Sequence, residues 1–297
     1  AAATALTSVQ VPELATAALA GLSTTDIAGL STGVIAALTT AQVMALGTAQ
    51  VAAMTTAGVR AFTTAQVRAL TTAQIANLTT TEVQALTSTE IGALTSAQVN
   101  ALVTAEAAAL TSSQAPAFTS AALAGMTSAQ LNAMATAAAT ALTSTQMPGL
   151  ATAALAGLST TDIAGLANSA VAALTTAQTM ALGTAQVAAM MIGQVVALKT
   201  DQIRALTTVQ IANLTTTEVQ ALTTAEIAAL TSAQVNALTT AEAAALTSTQ
   251  APAFTSAALA GMTSAQLNAM ATAAATALTS VQVPGLATAA LAGLSTT

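Results

Sequence analysis

Residues 70–85 read LTTAQIANLTTTEVQA, two eight-residue units set end to end. Leu70 and Leu78 open the units, paired threonines follow, Gln74 and Glu82 hold the fifth place, and Ile75 and Val83 the sixth. The same register runs outward in both directions, from Leu6 through 36 complete octads, with no insertion or deletion. Self-similarity at a fixed short period marks a solenoid or fibrous array in which each unit is completed by its neighbours.

With Leu as position 1, that place is Leu, Met or Phe throughout, and Phe62, Phe118 and Phe254 all sit there. Position 3 is Ser or Thr except at Asn168 and Ile192, and position 8 is Ala or Gly except at Glu13, Asn77 and Asn213. A continuous α-helix does not fit this pattern. Eight residues overshoot two turns by about 80° at 3.6 residues per turn, so the leucines would spiral around the helix. A plain alternating strand fails too, because positions 1 and 6 fall on opposite faces.

A helix that restarts in every octad does fit. With position 2 as N-cap, position 5 is the third helical residue, and Thr-x-x-Gln or Thr-x-x-Glu is a capping box. Positions 1 and 6 then form the hydrophobic staple, as Leu38 and Val43 do around Thr39 and Gln42. Where position 2 is alanine (Ala15, Ala135, Ala151, Ala167, Ala271, Ala287), position 5 is alanine as well, so cap and partner vanish together. Eight of the ten acids occupy position 5 and three of the four bases position 7, the order a helix dipole favours. The expected fold is therefore all-α, a solenoid of very short helices, one per octad. A β-solenoid with stacked Thr and Leu ladders is the alternative. Pro12, Pro116, Pro148, Pro252 and Pro284, all at position 7, are the main objection to the helical reading, because proline inside a helix costs about 3 kcal/mol; either those octads are distorted or each helix is so short that the position 7 amide is expendable.

A longer period overlies the short one. LATAALAGLSTTDIAGL begins at Leu14 and again at Leu150, and its first part returns at Leu286, steps of 136 residues or 17 octads. Residues 70–157 and 206–293 differ at 8 of 88 positions. Seventeen is odd, so octads cannot alternate between two roles; each is a unit equivalent to its neighbours. Residues 1–297 read as one continuous array with modules beginning near 14, 150 and 286. The array starts and stops within an octad, as a window from a longer protein would.

Composition narrows the function. The chain is 54% hydrophobic and 5% charged, with mean hydropathy +0.74 and net charge −6. Such a chain should order or associate, since disorder goes with low hydrophobicity and high charge. Sparse charge also leaves lateral self-association weakly opposed. The four bases Arg60, Arg68, Lys199 and Arg204 form no patch for nucleic acid. A membrane span is not expected, because Thr, Ser or Gln recurs within each octad and a span needs about 20 mostly apolar residues.

No catalytic, cofactor or metal residues are expected. Glu82 and Glu90, like Glu218 and Glu226, lie one octad apart, but Ca²⁺ wants six to eight oxygens, and these acids read as helix caps. Arg60 and Arg68 read as a solvated pair. Six of the ten methionines sit at position 1 as core fillers, and with no His or Cys haem ligation finds almost no support and thiolate metal sites are excluded. Ser and Thr have no His as base, Lys199 stands in no pocket motif, and the glycines form no phosphate loop. The sequence thus predicts no enzyme. Ranked threonines could also order water as ice-binding surfaces do, a minor alternative here because caps use the same residues.

The stretches TTAQVRALTTAQIANL (63–78) and ALKTDQIRALTTVQIANL (197–214) resemble the Thr/Ala/Gln-rich octapeptide tracts of giant bacterial surface proteins, often labelled haem-utilisation or adhesion proteins. The resemblance implies secretion, an extracellular or cell-surface location, and a structural role as filament, sheath or adhesin stalk. A ligand- or surface-binding solenoid, with recognition at the variable position 7, is the alternative.

Overall fold

The computed structural model describes residues 5–293. Among them the regular structure is all helix, α or 3-10, with no strand, which removes the β-solenoid alternative. The helices follow the octads. In 38–45, Leu38 (φ −57°, ψ 135°) and Thr39 (φ −70°, ψ 157°) are extended, and the helix Thr40–Ala45 starts at position 3. The Thr39 hydroxyl accepts from the Gln42 amide at 3.2 Å, and the Gln42 Oε1 accepts from the Thr39 amide at 2.8 Å, so the capping box closes in both directions. Leu46 (φ −62°, ψ 138°) returns to extended backbone and ends the helix. Two extended residues between successive helices are what resets the period to eight. The alanine-capped octads at Ala135 and Ala271 stay α-helical without a side-chain cap.

The prolines are absorbed by tightening. Each sits in a three-residue 3-10 helix: Val11–Glu13, Ala115–Ala117, Met147–Gly149, Ala251–Ala253 and Val283–Gly285. An octad built on one such turn has no need of the position-7 amide, so the missing donor costs little. Residues 152–157 also form a 3-10 helix, without proline.

The chain comprises two units, Ala1–Leu158 and Ser159–Thr297. Each is an all-α solenoid. In the first, Thr40–Ala45 packs against Thr64–Ala69, and Thr80–Ala85 against Thr104–Ala109. In the second, Thr200–Ala205 packs against Thr224–Ala229, and Thr216–Ala221 against Thr240–Ala245. Partners are three octads apart, so three octads make one turn of the coil. Positions 1 and 6 fill the interior, as Leu86, Ile91, Leu222 and Ile227 do, all buried. Helices this short do not persist alone in water; stacking on the adjacent turns holds them.

Glycine at position 8 marks the closest approaches. A Cβ on Gly125 would stand 1.9 Å from the Ser96 carbonyl oxygen, and one on Gly261 the same 1.9 Å from that of Ser232. No described residue has positive φ, so glycine is required here by contact between turns and not by backbone conformation.

Candidate functional site

The polar groups that sequence singled out at position 5 line the interior. Gln74 is 1% exposed and does two jobs. Its Oε1 accepts from the Thr71 amide at 2.7 Å, completing the cap. Its Nε2 donates to the carbonyls of Val43 at 2.8 Å and Leu46 at 2.7 Å, 31 and 28 residues back. The amide thus clamps its octad onto the junction between the fourth and third octads before it. The clamp repeats at Gln98 onto Val67 and Leu70, and at Gln130 onto Val99 and Leu102. In the second unit Gln234 clamps Ile203 and Leu206, and Gln266 clamps Val235 and Leu238. It survives in the proline octads, where Gln114 donates to Val83 and Leu86 at 2.7 and 2.8 Å. The position 6 carbonyl also accepts from the main chain, as Val43 does from the Leu46 amide at 3.3 Å, so the clamp matters most for the position 1 carbonyl at the helix end.

Sequence reasoning found the cap and missed the clamp. One signal was available: position 5 is Gln in 18 octads and acidic in 8. A capping box and a helix dipole are served at least as well by an acid, so the preference for Gln asks for a donor.

The acids occupy the same places. Glu82, Glu90, Glu106, Glu218, Glu226 and Glu242 are buried. Each accepts from its N-cap amide through Oε2, at 2.6 Å for Glu82 from Thr79 and for Glu106 from Val103; Thr239 serves Glu242 alike. The cap reading of these acids holds, but their other oxygen, Oε1, is buried with no hydrogen-bond partner in all six. Burial raises all six carboxyls above the usual glutamate range, against the pull of the cap hydrogen bonds. Glu106 is pushed up to about 7, by burial first and then by the charge of Glu82 one turn away. Asp26, half-buried near the start of the chain, goes the other way, because the Ser23 hydroxyl and amide bond to its carboxylate.

Among the bases, Arg60 is less free than the sequence suggests: its Nε donates to the Ala85 carbonyl at 3.0 Å. Arg68 and Lys199 are exposed. Position 7 asparagines also span turns, Asn100 to the Gly125 carbonyl at 3.0 Å and Asn236 to that of Gly261 at 2.9 Å. A surface hollow of about 530 Å³ is lined by Ser232, Asn236, Gly261, Met262, Thr263, Ser264 and small neighbours, with no titratable side chain. Position 2 hydroxyls such as those of Thr39 and Thr71 accept from amides in their caps. No helix among the described residues is long and apolar enough to cross a membrane.

Part of the chain matches a known repeat. The ALTTAQ repeat matches residues 19–56, 52–80, 211–248 and 219–256, some 108 of the 297 residues. These stretches are a repeat-protein tract of that kind, and they include clamp octads of both units. No curated protein matches the chain.

Proposed function

We propose that the chain is a structural, non-catalytic, secreted bacterial repeat protein whose array forms or extends an extracellular filament, sheath or adhesin stalk. The observation that carries the reading is where the polar side chains are spent. A catalytic site needs polar groups free to meet a substrate and to move protons. Here the position 5 amides and acids are turned inward onto main chain, and the position 2 hydroxyls cap helices. The low charge density supports contact between copies. The likeness to octapeptide tracts of giant bacterial surface proteins supports secretion.

A recognition surface at position 7 is the weaker reading, because Arg60, Asn100 and Asn236 are already bonded to the next turn. Electron microscopy with sedimentation of the purified chain tests the proposal. Fibres, sheets or bundles that grow with concentration are expected. A strictly monomeric species at every concentration would overturn it.

A further inference from the structure

The Gln clamp defines a slot with fixed chemistry: one acceptor toward the N-cap amide and one donor toward two carbonyls of earlier octads. In six octads the occupant is Glu. The register that gives Gln74 the carbonyls of Val43 and Leu46 gives Glu82 those of Val51 and Met54, one octad on. By the same spacing Glu90 meets Val59 and Phe62, and Glu106 meets Ile75 and Leu78. In the second unit the corresponding pairs are Val187 and Met190 for Glu218, Val195 and Leu198 for Glu226, and Ile211 and Leu214 for Glu242. A carboxylate has no hydrogen to offer these carbonyls, and in all six residues Oε1 is buried without a partner. An ionised oxygen held against main-chain oxygens is repelled and has lost its water.

Neighbouring charges offer no rescue. Glu82 lies between Thr56–Val59, whose C-cap is Arg60, and Thr104–Ala109, which brings Glu106. Glu90 lies between Thr64–Ala69, with Gln66 and Arg68, and the 3-10 turn after Gln114. Arg60 favours the ionised form of Glu90, though the Arg60 Nε is bonded to the Ala85 carbonyl. Glu106 faces Glu82 and Gln130, Glu218 faces Gln194 and Glu242, and Glu242 faces Glu218 and Gln266. Glu226 faces Gln202 on Thr200–Ala205, whose Asp201 and Arg204 are exposed, and the turn after Gln250. Two of the stacked pairs thus set acid against acid. A bare cation is a poor occupant, because one carboxylate oxygen and two carbonyls fall short of the six to eight oxygens of Ca²⁺, and the space is that of an NH₂ group.

We propose that the six buried glutamates are carried as neutral carboxylic acids, each donating its O–H to a carbonyl of an earlier octad where glutamine donates its N–H, so that protons lock these turns and alkali releases them. On release the proton passes to solvent, the carboxylate is left facing carbonyls, and the turn opens to hydrate it. In the stacked pairs Glu82 with Glu106 and Glu218 with Glu242 one member should hold its proton longest, since the charge of the other opposes its ionisation.

The test uses the full chain, the variant with all six changed to glutamine (E82Q, E90Q, E106Q, E218Q, E226Q, E242Q), and an E13Q/D201N control at exposed acids. Carboxyl-labelled glutamate read by infrared at pH 6 should show the C=O band of a protonated acid, absent from the six-fold variant. Amide exchange in 102–109, corrected for intrinsic rates, should rise more than about tenfold from pH 5 to 8 in the native chain and stay level in the variant. The control should follow the native chain. Ionised bands alone at pH 6, or equal exchange profiles in native chain and variant, would overturn the proposal. Should the six-fold variant not fold, E106Q alone and the infrared band of the native chain decide it by the same two outcomes.

Discussion

Octads 102–109 and 238–245 differ at one residue, Val103 against Thr239, and sit in different units. Thr239 closes a full capping box with Glu242; Val103 offers its amide to Glu106 and no hydroxyl. Yet the N-cap backbone is nearly the same, φ −78° and ψ 163° against φ −71° and ψ 163°, and both helices run six residues, Thr104–Ala109 and Thr240–Ala245. Losing a cap costs about 1 kcal/mol and does not move the octad, because the adjacent turns fix it. The loss shows in the acid instead. Both carboxyls are raised by burial, but Thr239 bonds to Glu242 through amide and hydroxyl, while Glu106 keeps the amide alone and is pushed up to about 7.

Breaking the clamp that stacks on these octads should have the largest effect. Gln130→Leu or Gln266→Leu strands the carbonyl of Leu102 or Leu238 and the N-cap amide of Thr127 or Thr263, while the carbonyl of Val99 or Val235 keeps its main-chain donor. At about 1–3 kcal/mol for each buried orphan, a loss of about 4 kcal/mol is expected, equal in the two units and read by amide exchange across three octads. A loss under about 1 kcal/mol would show the stack to be held by apolar packing alone.

Next in size is pH. The folded chain holds protons on its buried glutamates that the unfolded chain releases at the ordinary value of 4.5. Stability is therefore full below that value, falls as pH rises, and for Glu106 the loss is complete above about 7. Thermal melts between pH 4 and 9 should decline monotonically over that window. A rise with pH would contradict burial as the dominant influence.

Gly125→Ala or Gly261→Ala drives a Cβ into a carbonyl of Ser96 or Ser232. Overpacking of this kind costs about 2 kcal/mol, visible as a lower denaturation midpoint. The smallest change sharpens the comparison itself. Val103→Thr should stabilise 102–109 by about 1 kcal/mol and bring Glu106 titration down toward that of Glu242, and Thr239→Val should do the reverse. Carbon-detected NMR of the two side chains reads both shifts.

Several features of this fold were legible because they are local. The N-cap at position 2 and the capping box from 2 to 5 span three residues, and the sequence writes both ends in each octad, as Thr71 and Gln74 show. The prolines asked for octads that are distorted or too short to need the position 7 amide, and a single 3-10 turn meets that demand. The acids were legible as caps and illegible as buried groups, since burial comes from a turn far away in sequence.

The sequence by itself determined the octad, its cap, its helical state and its thin apolar interior, because each depends on residues within one unit. Tertiary structure decided that three octads make a turn, that Gln reaches back 28 and 31 residues, and that six glutamates and Asp162 are sealed inside. The physical reason is degeneracy. A periodic chain offers the same partner at every multiple of eight, so periodicity cannot say which neighbour an octad meets. Departures from the repeat lift that degeneracy. Gly125, Gly149 and Gly157 each stand 29 residues after a serine, Ser96, Ser120 and Ser128, and the same spacing joins Gly261, Gly285 and Gly293 to Ser232, Ser256 and Ser264. Gly165, with Thr136 at that distance, departs from the rule. Small residues facing one another across that gap are the trace that packing between turns left in the sequence.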